Sequence, residues 1–209
     1  MVEEDHCMYV KRSEKNNFIL SLYVDDILLA GNNIEMIVVT QKWLSSTFEM
    51  KDIGEAKYIL SVKIHRDRFK KFLSLSQETY IKRIIEQFRM HNANPIDTPM
   101  DKSYFLSKEL YRKTEEEKKR MTKIPYASAA GSLMYAMMCT RPDLCFAVGM
   151  VSRYQSNPGP DHWVAVKRIL RYLKGTSDLA LCYNGGSLKL VGYSDADGSA
   201  DRDERKSTS

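Results

Sequence analysis

The sequence predicts an α+β fold, and three observations carry that prediction. Up to Pro95, apolar runs and amphipathic stretches alternate in the order strand, helix, strand, strand, helix. After Pro125, three amphipathic stretches with helical spacing follow one another. Near the end, two short apolar runs flank Asn184-Gly185-Gly186, a turn sequence that joins antiparallel strands. The 209 residues have room for one or two domains, and 43% hydrophobic with 28% charged residues is a globular balance.

Taken in order, Met8–Lys11 reads as a short strand that turns through Ser13–Asn17. The rest of the chain is arranged around FILSLYVDDILLAGNN, residues 18–33. Its runs Phe18–Val24 and Ile27–Ala30 read as strands buried on both faces, with the carboxylates Asp25 and Asp26 at the bend of a hairpin. Two neighbouring negative charges between apolar walls repel, and a divalent cation relieves that repulsion. A solvated Asp-Asp turn without a ligand is the alternative. Asn32 or Asn33 caps a helix over Ile34–Phe48 with Glu35 in its first turn. Ile34, Ile37, Val38, Gln41, Leu44 and Phe48 fall on its inner stripe, with Trp43 off centre. Tyr58–Ile64 and Phe72–Leu75 read as an antiparallel pair joined by the basic run Arg66–Lys71. A phosphate contact and a solvated tip fit that run equally.

Ser76 is placed to cap a helix over Gln77–Met90, with Tyr80, Ile81, Ile84, Ile85 and Phe88 inward. Pro95 and Pro99 make His91–Met100 extended. Asp101–Lys123 is charged in both signs and reads as a solvated linker or short exposed helix, the expected domain boundary. Pro125 opens a helix to about Cys139 that uses Tyr126, Leu133, Met134 and Met137. Its small residues Ala127, Ala130 and Gly131 would let a neighbour approach closely. Pro142 opens a second helix over Asp143–Gln155, and a third runs over Asp161–Lys174 to a stop at Gly175. In the third, Trp163, Val166, Leu170 and Leu173 form the apolar stripe; Lys167, Arg168, Arg171 and Lys174 form a basic face, solvated by default. Leu179–Tyr183 and Ser187–Ser194 are the closing strands, and the second delivers Asp195.

Several function classes are excluded or left without support. No run approaches the ~20 apolar residues of a membrane helix, and the first seventeen residues lack the apolar centre of a signal peptide. Cys7, Cys139, Cys145 and Cys182 form no C-x-x-C pair, so no zinc site is expected; they read as buried, reduced thiols of an intracellular protein, cytoplasmic or nuclear. A net charge of +5 permits a polyanionic partner without establishing one.

Tyr23-Val24-Asp25-Asp26 between two apolar strands resembles the palm hairpin of reverse transcriptases. KDIGEAKYIL, LSLSQETYIKRIIEQF, YASAAGSLMYAMMCTRPD, SNPGPDHWVAVKRILRYLKGTSD and GYSDADGSADRDERKSTS follow it. In that order they resemble the copia-type LTR-retrotransposon Pol polyprotein over nearly the whole chain. The resemblance implies a partial reverse-transcriptase palm and thumb region, antiparallel hairpins with packed helices, over 1–100. It further implies a charged linker over 101–123, a helical connection over 124–178 and an incomplete RNase H-like start over 179–209.

The chemistry so implied is that of an RNA-directed DNA polymerase. Asp25 and Asp26 would hold Mg²⁺ or Mn²⁺, and Tyr23 and Val24 would lie beside the primer terminus and incoming nucleotide. Asp195 would be the first RNase H carboxylate, although Gly198 and Ala200 stand where the family usually has Trp and Gly. Lys167, Arg168 and Arg171 would contact the phosphates of an RNA/DNA template–primer. In family order a further palm aspartate and the fingers precede the hairpin, and later RNase H carboxylates follow Asp195. The expectation is therefore a reverse transcriptase by lineage that does not polymerise alone. A non-catalytic nucleic-acid-binding remnant or a co-opted protein-interaction module are the alternatives.

Overall fold

The computed structural model describes residues 5–101, 106–186 and 191–192. The chain divides into two compact units, Met1–Ala56 and Lys57–Ser209. The first is a three-stranded antiparallel sheet in the order β1-β2-β3, formed by β1 (Met8–Arg12), β2 (Asn17–Tyr23) and β3 (Asp26–Gly31), followed by helix α1 (Ile34–Thr47). The apolar alternation sets the register: Leu20 lies opposite Tyr9 on one side and Leu29 on the other.

Two adjacent asparagines divide the work at the entry to α1. The Asn33 side chain caps the helix by accepting from the Glu35 and Met36 amides. Asn32 instead closes the hairpin base, its Oδ1 accepting from Asn17 N at 2.9 Å and its Nδ2 donating to Lys15 O at 2.9 Å.

The expectation that β2 and β3 are buried on both faces is not met. Phe18 is buried, and every other residue of the two strands is half-buried or exposed. A three-stranded sheet with one 14-residue helix has too little mass to cover both faces. The α1 stripe is likewise only partly inward: Leu44 is buried, whereas Ile34, Val38 and Phe48 are exposed.

The second unit holds a four-stranded antiparallel sheet, β4 (Tyr58–Ile59), β5 (Val62–Asp67), β6 (Phe72–Ser76) and β7 (Ala180–Asn184), in that spatial order. Its helices are α2 (Glu78–Gln87), α3 (Glu115–Thr122), α4 (Tyr126–Cys139), α5 (Cys145–Ser152) and α6 (Pro160–Gly175). One core runs through α2, α4, α5 and α6, with Ile81, Ile84, Leu133, Leu144, Val148, Val166, Ile169 and Leu170 nearly sealed from water. The cysteines expected to be buried are not: Cys7, Cys145 and Cys182 are exposed and Cys139 is half-buried, because none falls on the inward side of a helix or strand. On α4 the buried small residues are Ala129, Ala130 and Ala136, while Ala127 and Gly131 face outward. Short helix α5 is preceded by a 3₁₀ turn over Pro142–Leu144, so the helix expected from Asp143 begins at Cys145.

Two boundaries move. Leu106 and Met121 are buried, and α2 shares its core with α4, α5 and α6. The 101–123 segment is therefore no domain boundary; the compact units part at 56/57 instead. The strand expected to open an RNase H-like region pairs with β6, Leu181 opposite Leu75 and Tyr183 opposite Leu73. A strand already supplied with a hydrogen-bonding edge has no need of a new sheet. The partner strand expected over Ser187–Ser194, apart from Val191 and Gly192, lies outside the described residues, as does Asp195.

Candidate active site

The hairpin between β2 and β3 is as tight as a hairpin can be. Tyr23 pairs with Asp26, leaving Val24 and Asp25 as the two turn residues. The bend is thus Val24–Asp25, and Asp26 is the first residue of β3 rather than part of the turn. Val24 has φ 51°, a left-handed conformation that a β-branched residue adopts at a cost of about 1–2 kcal/mol. A two-residue hairpin turn requires a positive φ at its first position, so the tight turn itself imposes this strain.

Tyr23, Val24, Asp25 and Asp26 are all exposed. The low-dielectric setting expected for the carboxylates is not present, and water screens much of their mutual repulsion. What the hairpin offers a cation is a donor set. Neither carboxylate makes a hydrogen bond or ion pair among the described residues, so both present hard oxygen donors to solvent. Such donors suit a hard divalent cation that takes one or two carboxylates and completes its shell with water and phosphate oxygens. No group of three or more metal-ligating side chains forms among the described residues.

The basic face of α6 has a different employment from the one expected. Arg168 donates to Thr98 Oγ1 at 2.9 Å and pairs with Asp101 at 3.3 Å. Arg171 donates to Asn94 O at 2.6 Å, and Lys174 donates to His91 O at 2.6 Å and Ala93 O at 2.8 Å. These three side chains clamp the Pro-containing segment 91–101, whose carbonyls no helix or strand satisfies. Lys167 makes no hydrogen bond or ion pair among the described residues.

Two polar assemblies escape sequence reasoning. Arg141, 2% exposed, makes a two-pronged pair with Asp143 at 3.0 and 2.7 Å and donates to Thr176 O and Oγ1. Tyr172 donates to Asp143 at 2.8 Å and lies under the guanidinium. Burial pushes the Asp143 carboxyl up, but the hydrogen bonds from Arg141 and Tyr172 and the guanidinium charge outweigh it and hold the carboxyl below its ordinary value. The signal available was Thr140-Arg141-Pro142-Asp143, a charge pair inside an otherwise apolar stretch. The second assembly is fully buried His162, stacked on Tyr154 at 4.2 Å and accepting from Gly159 N at Nδ1. Its Nε2 lies 3.2 Å from Ser107 O, which makes it the Nε2–H tautomer.

The site geometry is thus an antiparallel hairpin that holds two adjacent carboxylates out in water on an α+β scaffold. Residues 2–102 match the family described as reverse transcriptase (RNA-dependent DNA polymerase). The chain is 53% identical over 205 residues to the retrovirus-related Pol polyprotein from transposon TNT 1-94 of Nicotiana tabacum, covering 98% of this chain and 15% of that protein. It is 36% identical over 205 residues to the corresponding polyprotein from transposon RE2 of Arabidopsis thaliana, covering 98% and 14%. It is also 32% identical over 190 residues to an uncharacterized mitochondrial protein of Arabidopsis thaliana, covering 90% and 75%. No solved structure matches. The chain belongs to the copia-type retrotransposon Pol family, in its reverse-transcriptase region. It spans about one seventh of the length of the polyproteins it matches.

Proposed function

We propose that this chain carries the metal-holding hairpin of an RNA-directed DNA polymerase. The observation behind the proposal is the pair Asp25 and Asp26, uncommitted and exposed at a strained two-residue turn, in a chain of reverse-transcriptase lineage. Asp25 and Asp26 would hold Mg²⁺ or Mn²⁺, and a cation bound there supplies Lewis-acid stabilisation of the attacking and leaving oxygens. Tyr23 and Val24, exposed on the same tip, would border the primer end and the incoming nucleotide. Their fixed strand and turn positions bring an orienting surface to the reacting groups, which is how most of the gain from proximity arises. The partner so proposed is an RNA/DNA template–primer, with Lys167 as a phosphate contact and Arg168 and Arg171 acting indirectly, by holding segment 91–101. Asp195 is proposed as a carboxylate of an RNase H-like site.

Mn²⁺ binding, followed by water proton relaxation, tests the hairpin. The parent chain is expected to bind weakly, because water fills most of the shell, and the variant with Asp25→Asn and Asp26→Asn is expected to lose that binding. Undiminished binding in the variant would overturn the assignment. Primer extension on poly(rA)–oligo(dT) with Mn²⁺ is the second measurement. The chain alone is expected to give none, since two carboxylates fix neither a second cation nor a triphosphate. Extension that disappears in the double variant would show the described residues to be sufficient.

A further inference from the structure

The hairpin between β5 and β6 ends in Arg66-Asp67-Arg68-Phe69-Lys70-Lys71, four basic side chains and one carboxylate in six residues. The carboxylate is spent locally: Asp67 accepts from Lys70 N at 3.0 Å and pairs with its Nζ at 3.8 Å. Phe69, between Arg68 and Lys70, is fully exposed. An aromatic ring held entirely in water at a turn that Asp67 already caps contributes nothing to the fold.

Strand β7 completes the arrangement. Arg66 lies opposite Leu73, and Leu73 lies opposite Tyr183, so the three share one face of the sheet in a single cross-strand row. Tyr183 is 52% exposed. Gly185 N donates to Lys71 O at 2.7 Å, and a Cβ at Gly185 would come within 2.2 Å of Lys71 Cβ, so glycine lets the two chain segments touch. Between them opens a hollow of about 430 Å³ whose walls carry Arg66, Arg68, Lys71, Leu73 and Tyr183 together with the single carboxylate Asp67. Cations around a slot with exposed aromatic faces are what a single strand requires: charge for its phosphates and planes for its unpaired bases.

We propose that the β5–β6 tip and the end of β7 form a contact site for single-stranded nucleic acid. Arg66, Arg68 and Lys71 meet phosphates, and Tyr183 and Phe69 stack on bases. A duplex offers no free base faces and would use the cations alone. An anionic membrane would also attract the cations, but interfacial insertion needs a broad apolar face, and Phe69 stands singly between two charges. The site rests on the reading of the chain as a nucleic-acid enzyme for the class of its partner, but it involves neither Asp25 nor Asp26.

The test is fluorescence anisotropy of a labelled twelve-nucleotide oligo(rU), titrated with the chain in EDTA at several KCl concentrations. Phe69→Ala and Tyr183→Leu are each expected to weaken binding roughly tenfold, the effect of removing one stacked base. Replacing Arg66, Arg68 and Lys71 by Gln is expected to make the log–log salt slope shallower by about two, at ~0.7 per phosphate released. Circular dichroism of each variant guards against misfolding, and Phe69→Ala, at a fully exposed position, keeps the test sound if Tyr183→Leu does not fold. Affinity and slope unchanged in all variants would overturn the proposal. So would capture by phosphatidylserine vesicles through these residues with no oligo(rU) binding. Because the titration is run in EDTA, it reads this site without any cation, whereas the Mn²⁺ relaxation measurement reads the hairpin, so the two readings fail separately.

Discussion

Asp143 binds the buried Arg141 guanidinium, and its proton affinity makes that pair sensitive to acid. The native carboxyl titrates below its ordinary value of 3.8. Its stabilisation is therefore complete above the unfolded value and fades as pH falls through the lower native one. Asp143→Asn removes a charged acceptor from a guanidinium that is 2% exposed, so a loss of about 2 kcal/mol at pH 7 is expected. Urea unfolding at pH 7 and again near pH 2.5 checks this, because the gap between parent and variant must narrow on acidification. A gap independent of pH would mean that the carboxylate charge contributes nothing. Strain offers a second prediction at this scale. Leu60 and Ser61 both have positive φ in the two-residue turn between β4 and β5, the type that favours glycine. Tyr135 Oη donates to Leu60 O and holds that turn in place. Ser61→Gly is expected to raise stability by about 0.5–1 kcal/mol, measured as the thermal midpoint. Single residues were legible where a local rule decides them: Asn beside a helix start reads as a cap, and Asn33 is one. They were illegible where a distant group decides, as for Arg141, whose partners include Thr176 thirty-five positions away.

Helix α6 shows how an element's position reassigns its side chains. Its heptad-like apolar stripe is where the spacing put it, with Val166, Leu170 and Leu173 sealed, and Ala165 and Ile169 beside them. Its cations were read as one face because they share a helical side, yet three of them serve segment 91–101. Lys167→Ala is therefore expected to lower the salt slope of template–primer binding by about one without loss of stability. Lys174→Ala removes the donor to two carbonyls and is expected to cost about 1 kcal/mol in urea unfolding while leaving that slope intact. The opposite pattern would return the face to a uniform phosphate-binding role. At the other end of α6, a Cβ at Gly159 would meet Leu110 O at 1.8 Å. Backbone cannot yield as a flexible side chain does, so Gly159→Ala is expected to cost about 1–3 kcal/mol and to disturb the His162 contact to Gly159 N. The thermal midpoint reads that cost. Strand β7 was legible as a strand from Leu179–Tyr183, but its partner was not. Antiparallel pairing with β6 closes a loop of about a hundred residues, and no local pattern encodes which open edge a strand will join. The 101–123 segment was legible only in part: Glu115–Thr122 is the short, mostly exposed helix its charges suggest, whereas burial of Leu106 and Met121 is not written in the local pattern.

The two compact units differ in how much apolar surface they seal, and that difference has a measurable consequence. In Met1–Ala56 the buried hydrophobic residues, among those described, are Phe18 and Leu44. In Lys57–Ser209 a continuous core extends from Tyr80 to Leu173 across four helices, α2, α4, α5 and α6. Each fully buried Leu, Ile or Val side chain contributes about 1.5–3 kcal/mol, so the second unit holds the larger share of stability. Amide hydrogen exchange resolves this by segment. Amides of α2, α4, α5 and α6 are expected to exchange only through global opening, whereas those of β1, β2, β3 and α1 exchange through a cheaper, separate opening. The open hairpin is also where a cation binds in the reading argued above, so a ligand that prefers the native unit must slow its opening. Millimolar Mn²⁺ is expected to slow exchange across residues 17–31 and to leave 78–175 unchanged. In the variant with Asp25→Asn and Asp26→Asn the slowing should vanish. Uniform exchange in both units would show that the 56/57 division has no energetic meaning. Slowing by Mn²⁺ that survives the double substitution would place the cation elsewhere than on the hairpin.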